Sequence, residues 1–413
     1  MNKEKQKEYL QRIIRQLAIW TIRKYKPGVV AVTGSVGKTS TKEAMYAVLK
    51  GSRSVRKSSG NLNNELGVPL SILGDWQEIA GKNFWLKVIL LSLVRLIIRL
   101  RYPDILVLEY AADRPGDLKY LLDIARPQIG VVTAIGDIPV HVEFFSGPEA
   151  IAREKAKVVE ALPATGVAVL NYDDQAVLDM RQRTRAHTMT FGFSNDAEVR
   201  ISSFENRMED SRPAGISFKL HHGGSFVPVR LDDCFGKAQA YAAASAACIG
   251  LIFGLNLVKI SEALQEYQSP PRRMKLVPGI KHTYIIDDTY NASPLAMHAA
   301  IDTVKDLKAK RKVAILGDML EIGKYTPEAH ETIGKLAGKN FDLLITVGAR
   351  AKFIAEAAMA AGMAKKNTYS FDTAEEAAPK AQELIKKGDL ILIKASRAIG
   401  LDKIVEEIRL IET

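Results

Sequence analysis

The sequence predicts an α/β fold with two doubly wound domains. Short, continuous runs of valine, isoleucine and leucine alternate with helical stretches along most of the chain, as buried parallel strands and their connecting helices do. The chain has 413 residues, of which 47% are hydrophobic and 25% charged, and is therefore long and apolar enough for two or three domains. Three prolines in YQSPPRRMKLVPG, residues 267–279, interrupt the alternation and mark a hinge.

The first domain is predicted at residues 28–268. Its strands are expected in GVVAVTG, DILVLEY, IGVVTAI and GVAVLNY. Shorter and more polar strand-like segments in residues 197–231 predict a β-rich flap, and an alanine-rich helix follows at residues 237–253. Beyond the hinge, HTYIIDD, KVAILGD, DLLITVG and DLILIKAS predict a second, Rossmann-like domain at residues 269–413.

Two segments are both basic and apolar. Residues 1–27 carry Leu10, Ile13, Ile14 and Leu17 at helical spacing among lysines and arginines, which predicts a basic amphipathic helix. Residues 82–101 include FWLKVILLSLVRLIIRLR, where no charge-free run is long enough to cross a membrane. We interpret this insertion either as an interfacial segment or as a helix packed on its own domain with its basic ends in solvent.

The net charge of +11 favours anionic partners. Nucleotides, phosphosugars and an acidic membrane surface all fit, whereas nucleic acid is disfavoured because no basic platform with interleaved aromatic residues is present. The two cysteines, Cys234 and Cys248, are too far apart for a CxxC motif, and the N-terminus lacks the features of a signal peptide. We expect a cytoplasmic, disulfide-free protein.

The stretch AVTGSVGKTST, residues 31–41, has the composition of a phosphate-binding loop. Glycines allow backbone N–H groups to face phosphate oxygens, Lys38 can bind the phosphates, and the hydroxyl of Thr39 can ligate Mg²⁺. The strict spacing GxxxxGK[ST] is not met, because Val32 stands at the first glycine position. The loop predicts nucleotide binding, and the alternative is a glycine turn without a ligand.

The motif TGSVGKTST resembles the phosphate loop of the Mur ligase family, ATP-dependent enzymes that form amide bonds on peptidoglycan precursors. Further similar motifs follow in order as far as residue 410. They include GNLNNELGVPLSIL, LEYAADRPGDL, HVEFF, AIAREKAKVVEAL, VLNYDD, PPRRM, IIDDTYNASPLAM, ILGDMLEIG and KASRAIGLDKIV. Together they are most similar to the branch that adds D-alanyl-D-alanine to UDP-N-acetylmuramoyl-tripeptide. The resemblance implies a central P-loop ATPase domain and an ADP-forming ligase that acts through an acyl phosphate, with ATP and two Mg²⁺ ions.

The resemblance also implies roles for individual residues. Catalytic roles are implied for Lys38, His141 and Lys155, and metal ligation for Thr39, Glu109, His141 and Lys155. Lys155 aligns with a lysine that the family carbamylates, although Lys157 is the alternative. Nucleotide contacts are implied for Gly34, Ser35, Gly37, Lys38, Thr39, Ser40, Arg273 and Asp288. Substrate contacts or their supports are implied for Asn61, Asn63, Asn64, Asn291, Glu321, His330 and Arg397. Each of these residues also has an ordinary alternative, such as a helix cap, a turn or a structural histidine.

The sequence departs from the family pattern in two places. Ala238, Gln239 and Ala242 stand where the family carries a His-Asn pair and a later asparagine near the adenosine, which leaves adenine recognition open and Gln239 as one amide contact. Only 27 residues precede the first domain and its loop, too few for the family's UDP-sugar-binding domain. We therefore expect that domain to be absent. The acceptor is then bound by the basic helix, by the insertion or by a partner subunit.

A different acceptor is the second interpretation. Both extra segments are basic and apolar. The acceptor is therefore either a small-molecule cell-wall precursor or a lipid-linked one at the inner face of the membrane. A nucleotide-binding scaffold that has lost ligation is the alternative from another functional class.

Overall fold

The computed structural model describes residues 3–60, 62–76, 79, 81, 83–210 and 212–410. Its strands are β1 (Gly28–Thr33), β2 (Val55–Lys57), β3 (Ile105–Glu109), β4 (Ile129–Val132), β5 (Val167–Asn171), β6 (His187–Gly192), β7 (Val199–Glu209), β8 (Arg212–His222), β9 (Ser225–Asp232), β10 (Lys275–Gly279), β11 (Thr283–Asp287), β12 (Lys312–Gly317), β13 (Leu343–Val347), β14 (Thr368–Phe371) and β15 (Leu390–Lys394). Its helices are α1 (Lys3–Tyr25), α2 (Lys38–Lys50), α3 (Gly67–Leu73), α4 (Phe84–Ile97), α5 (Asp117–Ile124), α6 (Pro148–Glu160), α7 (Gln175–Leu178), α8 (Lys237–Ile252), α9 (Leu257–Leu264), α10 (Pro294–Asp306), α11 (Thr326–Asn340), α12 (Lys352–Ala360), α13 (Ala374–Leu384) and α14 (Asp402–Ile408).

The first sheet has the strand order β2-β3-β1-β4-β5-β6-β7-β8-β9. Strands β1 to β6 pair in parallel and are built from continuous apolar runs, as buried parallel strands require. The predicted flap at residues 197–231 is instead a continuation of this sheet, in which β7 and β8 are 11-residue antiparallel strands. The alternation in β8 explains the difference, because Ile216, Phe218 and Leu220 are buried on one face.

The second sheet has the order β10-β11-β15-β12-β13-β14, with only β10 antiparallel to its neighbour. This confirms the predicted α/β class with a Rossmann-like C-terminal unit. The proline-rich hinge residues lead into the antiparallel edge strand β10. The carboxyl ends of β11 and β15 face the phosphate-loop side of the first sheet, since Asp288 and Lys394 line one cavity with Lys38.

Helix α1 confirms the predicted N-terminal helix. It is part of the first domain's core, because Ile14, Leu17 and Ala18 are buried in the same cluster as residues of β1, β3 and α3. At its end, the amino group of Lys24 donates to the carbonyl oxygens of Arg95 at 2.8 Å and Leu96 at 2.9 Å. Helix α1 therefore holds the C-terminal end of α4.

The basic, apolar insertion forms α4, which buries only Phe84, Val88 and Ser92. Arg95 turns inward and donates to the carbonyl oxygen of Leu73, while Arg99 lies beyond the end of the helix. The insertion thus packs on its own domain by this stripe, with Trp85, Ile89 and Leu96 half-buried beside it, and exposes its opposite face. Within the described ranges, no helix combines the length and apolarity needed to cross a membrane.

Candidate active site

The phosphate loop connects β1 to α2. Gly34 has φ +143° and Gly37 has φ +88°, and a Cβ atom on Gly34 would lie only 2.0 Å from Oγ1 of Thr133. The amide of Ser35 donates to the carbonyl oxygen of Ala134 at 2.6 Å. The loop is therefore fixed against the segment after β4, and Gly37 precedes the N-terminus of α2, a favourable position for an anion.

Two lysines converge on one carbonyl group of this loop. The amino group of Lys38 donates to the carbonyl oxygen of Gly34 at 2.8 Å, and that of Lys155 donates to the same oxygen at 3.0 Å. Lys155 is 2% exposed, and burial, assisted by the charge of Lys38, lowers its pKa to about 7. Burial also lowers the pKa of Lys38. An anion bound beside these amino groups would relieve their repulsion.

Glu109 ends β3 beside the loop and is buried. Its Oε1 accepts a hydrogen bond from Nδ2 of Asn63 at 2.9 Å, and its Oε2 lies 3.6 Å from Nζ of Lys42. Although burial acts to raise it, nearby positive charge, chiefly from Lys42 and Lys38, holds the pKa of Glu109 below its ordinary value. Glu109 is therefore a carboxylate at neutral pH.

The oxygen atoms around the loop fit a magnesium ion that is shared with a bound phosphate. Oε2 of Glu109 and Oγ of Ser35 are buried and have no hydrogen-bond partner. Mg²⁺ in proteins takes one or two carboxylates together with phosphate and water oxygens. No group of three His, Cys, Asp or Glu residues in the described part of the chain is arranged to hold a metal. Glu109 and the hydroxyl of Thr39 would thus need phosphate and water to complete the coordination.

His141 lies where the two domains meet. Its Nε2 is 3.2 Å from Oδ1 of Asp113, and its Nδ1 is 2.7 Å from Oε2 of Glu321, out of hydrogen-bond alignment. Burial lowers the pKa of His141 to about 4, which favours the neutral imidazole, and burial raises the pKa of Glu321. A neutral imidazole is the form that ligates metals. The amide of Glu143 also donates to the carbonyl oxygen of Glu321 at 3.3 Å, a second contact between the domains.

The hinge brings Arg273 to the phosphate loop. Its Nη2 donates to Oγ1 of Thr39 at 2.9 Å, and its guanidinium lies 3.8 Å from the ring centre of Tyr290. Asp288 instead accepts hydrogen bonds from Lys394 at 2.6 Å and from the amide of Met274 at 3.1 Å. Asp288 lines the cleft, but its carboxylate is bound within the C-terminal domain.

Comparisons with known proteins agree with this arrangement. Residues 32–80 and 90–250 match the family model described as the Mur ligase middle domain, and residues 272–397 match that described as Mur ligase, glutamate ligase domain. The chain belongs to the Mur ligase family.

Named relatives of this Mur ligase cover most of its length. UDP-N-acetylmuramoyl-tripeptide--D-alanyl-D-alanine ligase of Bacillus subtilis (strain 168) is 28% identical over 96% of this chain and 79% of its own. The enzyme of that name from Mycobacterium tuberculosis (strain H37Rv) is 32% identical over 92% of this chain and 72% of its own. The crystal structure of MurF ligase from Thermotoga maritima in complex with ADP has a TM-score of 0.79 and 28% identity, covering 96% of this chain and 83% of that one.

A cavity of about 370 Å³ gathers most of the predicted site residues of this Mur ligase. Its lining includes Ser35, Gly37, Lys38, Thr39, Ser40, Asn63, Asn64, Glu109, His141, Arg273, Asp288, Asn291 and Arg397. Glu321 is outside the lining but contacts His141. Gly34 and Lys155 lie behind Lys38. Asn61 falls outside the described residues.

Two predicted substrate residues have structural partners. Oδ1 of Asn64 accepts from the amides of Leu66 at 3.3 Å and Gly67 at 3.0 Å, and so supports the start of α3. Oδ1 of Asn291 accepts from the amide of Ala292 at 2.9 Å. Both side chains still line the cavity, where their amide nitrogens remain as potential donors to a ligand.

His330 is absent from the residues that line the cavity, and its surroundings fit the supporting rather than the contacting role implied for it. It is fully buried in α11, where Nδ1 lies 2.7 Å from the carbonyl oxygen of Thr326 and Nε2 accepts from the amide of Met319 at 3.0 Å. With Nδ1–H donating, both ring nitrogens are used, and burial lowers the pKa of the ring. His330 is a support for the loop that leads to Glu321.

Gln239 is likewise committed to a structural role. Its Oε1 accepts from the hydroxyl of Tyr267 at 2.6 Å, and its Nε2 donates to Oγ of Ser269 at 3.0 Å and to the carbonyl oxygen of Arg273 at 3.1 Å. The side chain is buried and holds the hinge against α8. Both ends of the Gln239 amide are thus bonded within the protein, although the residue lines the first cavity, and its contact with adenosine stays a prediction.

The sequence analysis missed two lysines of the site. Lys42 is fully buried, donates to the carbonyl oxygen of Gly60 at 3.1 Å and faces Glu109. It stands four residues after Lys38, one helical turn further, and this spacing was an available signal. Lys394 is the last residue of β15. A charged residue at the carboxyl end of a parallel strand lies where α/β sheets bind ligands, and this position was a second available signal.

A second cavity, of about 440 Å³, lies on the other side of the loop. Val36, Ala238, Tyr241 and Leu295 are among its lining residues, with His298, Asp302 and Thr303 at its polar part. It therefore offers apolar and aromatic walls next to Gly37, a shape and chemistry that suit a flat ring.

Proposed function

We propose that this protein is an ATP-dependent ligase that activates a carboxylate as an acyl phosphate and joins it to an amine, releasing ADP and phosphate. The observation that carries the proposal is the pair Lys38 and Lys155 on the carbonyl of Gly34, beside the ionised Glu109. Relatives that cover most of the chain are named as ligases, and a similar solved structure contains ADP.

The phosphates of ATP would lie on the loop at the N-terminus of α2. Backbone amides and Lys38 there provide donors to phosphate oxygens. We assign the purine to the second cavity, against Ala238, Tyr241 and Leu295, because these residues lie next to Gly37. Ala238, with these apolar walls, would then take the place of the His-Asn pair that the family carries near the adenosine.

We assign one Mg²⁺ to Thr39 and Glu109 and a second to His141 and Lys155. These ions supply charge neutralisation on the phosphate oxygens during transfer. A pKa of about 7 leaves the buried amine of Lys155 largely uncharged at slightly alkaline pH. The uncharged amine is the form that adds CO₂: an N–C bond forms, one proton is released, and the neutral amine becomes an anionic carbamate. Lys157 is half-buried and paired with Glu154, which favours Lys155 for this modification.

The chain itself then positions the reactants and excludes water. We propose that residues 28–268 and 269–413 act as two domains that close around the nucleotide, with Arg273 contributed from the hinge. The cavity residues Asn63 and Asn64 would face the acceptor carboxylate, and Asn291, Glu321 and Arg397 the amine. Closure protects the acyl phosphate from hydrolysis until the amine attacks its carbonyl carbon.

For the substrates, we propose those named for the relatives, UDP-N-acetylmuramoyl-tripeptide and D-alanyl-D-alanine. The test is phosphate release from Mg-ATP by the purified protein, with the two compounds added singly and together. We expect phosphate release only when both compounds are present, and we expect the mass of the joined product in the same reaction. Absence of any stimulation while ATP still binds would refute this pair of substrates.

A second candidate acceptor is a lipid-linked carboxylate. The observation that favours it is the exposed, basic and apolar segment around α4, which would hold the protein peripherally at a membrane surface. The same phosphate-release assay, with a detergent-dispersed lipid-linked tripeptide in place of the nucleotide-linked one, separates the two acceptors.

A further inference from the structure

Helix α4 is apolar on two opposite faces. Phe84, Val88 and Ser92 form the buried stripe. The opposite stripe consists of four exposed apolar residues at positions i, i+4, i+7 and i+11 of the helix. They are Leu86 (57% exposed), Leu90 (53%), Leu93 (40%) and Ile97 (82%). Ile98 and Leu100 extend the exposed apolar surface beyond the helix. Soluble proteins rarely expose a continuous apolar patch of this kind unless it has a binding role.

The exposed stripe is held in a defined position. Besides the bonds from Lys24, the hydroxyl of Tyr25 donates to the carbonyl oxygen of Arg95 at 3.1 Å, and the ring of Tyr25 stacks on Tyr102 at 4.5 Å. The C-terminal end of α4 is thereby bound to α1 and to the segment that precedes β3. The outward direction of Leu90 and Ile97 is therefore a built feature of the fold.

The charge around the stripe has one sign. The sequence from Asn83 to Arg101 contains no Asp or Glu, while Lys87, Arg99 and Arg101 are exposed within it. An apolar stripe accompanied only by positive charge complements a surface with an apolar interior and anionic head groups. A second copy of this chain fits less well, because pairing two such faces would bring like charges together.

The length of α4 sets the mode of contact. Its 14 residues span about 21 Å at about 1.5 Å per residue, less than the roughly 30 Å of a bilayer core. A helix of this length lies along the membrane surface with its apolar side chains inserted at the boundary between head groups and acyl chains.

We propose that the outer face of α4, with the basic residues that follow it to Arg101, docks on an anionic phospholipid bilayer. This inference deepens the second candidate of the proposed function, in which the same segment holds the protein at a membrane surface, but neither phosphate transfer nor amide formation requires such a surface. It rests on the apolar stripe, its fixed orientation and the one-signed charge.

The test is flotation of the full chain with phosphatidylcholine vesicles that contain or lack phosphatidylglycerol, in the absence of nucleotide and acceptor. We expect binding to the anionic vesicles that weakens with added salt. The double variant Leu90→Glu/Ile97→Glu changes only exposed side chains and is expected to reduce binding by about tenfold or more. The matched control is Val258→Glu, at a 56% exposed position on α9, which should bind like the wild type.

Several results would overturn the proposal. One such result is that the wild type does not float with anionic vesicles. Another is that the double variant floats as well as the wild type while its circular dichroism and melting temperature remain normal. A dimer in light scattering that Leu90→Glu/Ile97→Glu converts to a monomer would show that a second copy covers the face instead. Because the assay contains no substrates, its result is independent of whether the ligation reaction is correct.

Discussion

The guanidinium of Arg273 donates a hydrogen bond to the hydroxyl oxygen of Thr39 at 2.9 Å, and this bond joins the hinge to the phosphate loop. The same oxygen is the one we assign to Mg²⁺. In the proposed complex, a magnesium ion at Thr39 and a guanidinium on the same atom would repel each other, so loading of Mg-ATP would require Arg273 to move onto a phosphate oxygen. We propose that nucleotide binding and domain closure are coupled through this one side chain.

Replacing Arg273 with lysine keeps the charge but removes the planar fork that bonds Thr39 and stacks on Tyr290. We expect the KM for ATP to rise by about tenfold, because lysine would lose roughly one of the charged hydrogen bonds that Arg273 makes to a phosphate oxygen in the proposed complex. Steady-state kinetics at varied ATP concentration measure this KM. Arg272→Lys is the control, since Arg272 pairs with Asp402 on the partly exposed surface. Equal effects of the two substitutions would contradict a specific role for Arg273.

Replacing Lys155 with methionine is expected to abolish ligation yet stabilise the fold. Burial lowers the pKa of Lys155 from 10.5 to about 7, so between these values the unfolded chain binds more protons than the folded one. Wild-type stability therefore rises with pH in this window, by on the order of 1 kcal/mol per unit, and the full cost of burying the charge is present below pH 7.

Denaturant unfolding at several pH values checks this prediction. The stability advantage of Lys155→Met is expected to be largest at or below pH 7 and to narrow as the pH approaches 10. A variant that is less stable than the wild type across this range would show that Lys155 is not a strained, buried cation.

Ligase activity is expected to depend on dissolved CO₂. Lys155 has the lowered pKa that carbamylation requires, whereas Lys157 is ion-paired with Glu154 at 2.6 Å. Activity should fall in CO₂-free buffer and recover with bicarbonate, and the same dependence should persist in Lys157→Met. Full activity in CO₂-free buffer, with no carbamate mass on the protein, would count against the modification.

Replacing His330 with alanine is expected to destabilise the fold by about 3 kcal/mol, because it opens a buried cavity and leaves the amide of Met319 without its partner. The KM for the amine should rise only slightly in the folded protein, because His330 supports the loop of Glu321 without lining the cavity. Urea unfolding measures the loss of stability, and kinetics at low temperature measure the KM of the folded variant. The control is His187→Ala, because His187 is exposed. A large rise in KM without loss of stability would restore a substrate-binding role.

The strands were predictable because a parallel strand buried on both faces leaves a continuous apolar run, as in VVAV and LILIK. The extension of the sheet through β7 to β9 could not be predicted, because its alternating apolar and polar residues resemble those of any half-exposed hairpin. The loop residues around Lys38 were predictable because their spacing is local. The roles of His330 and Gln239 were not, because a polar side chain that binds a ligand and one that supports a neighbouring loop differ only in what the tertiary fold places beside them.

The exposure of α4 shows the same limit. Its sequence is apolar almost all round, which fits a helix buried on every side as well as one with an exposed face. Only the packing of α1 and α3 on the stripe of Phe84, Val88 and Ser92 distinguishes the inner face from the outer one.

The measurement that tests the account most directly is the fate of an ¹⁸O label in the acceptor carboxylate. UDP-N-acetylmuramoyl-tripeptide labelled at its terminal carboxyl group would be incubated with Mg-ATP, D-alanyl-D-alanine and the protein, and the released phosphate analysed by mass. Acyl-phosphate ligation predicts one carboxylate oxygen in each phosphate. Phosphate released without the label would contradict it, because water would then have attacked ATP directly.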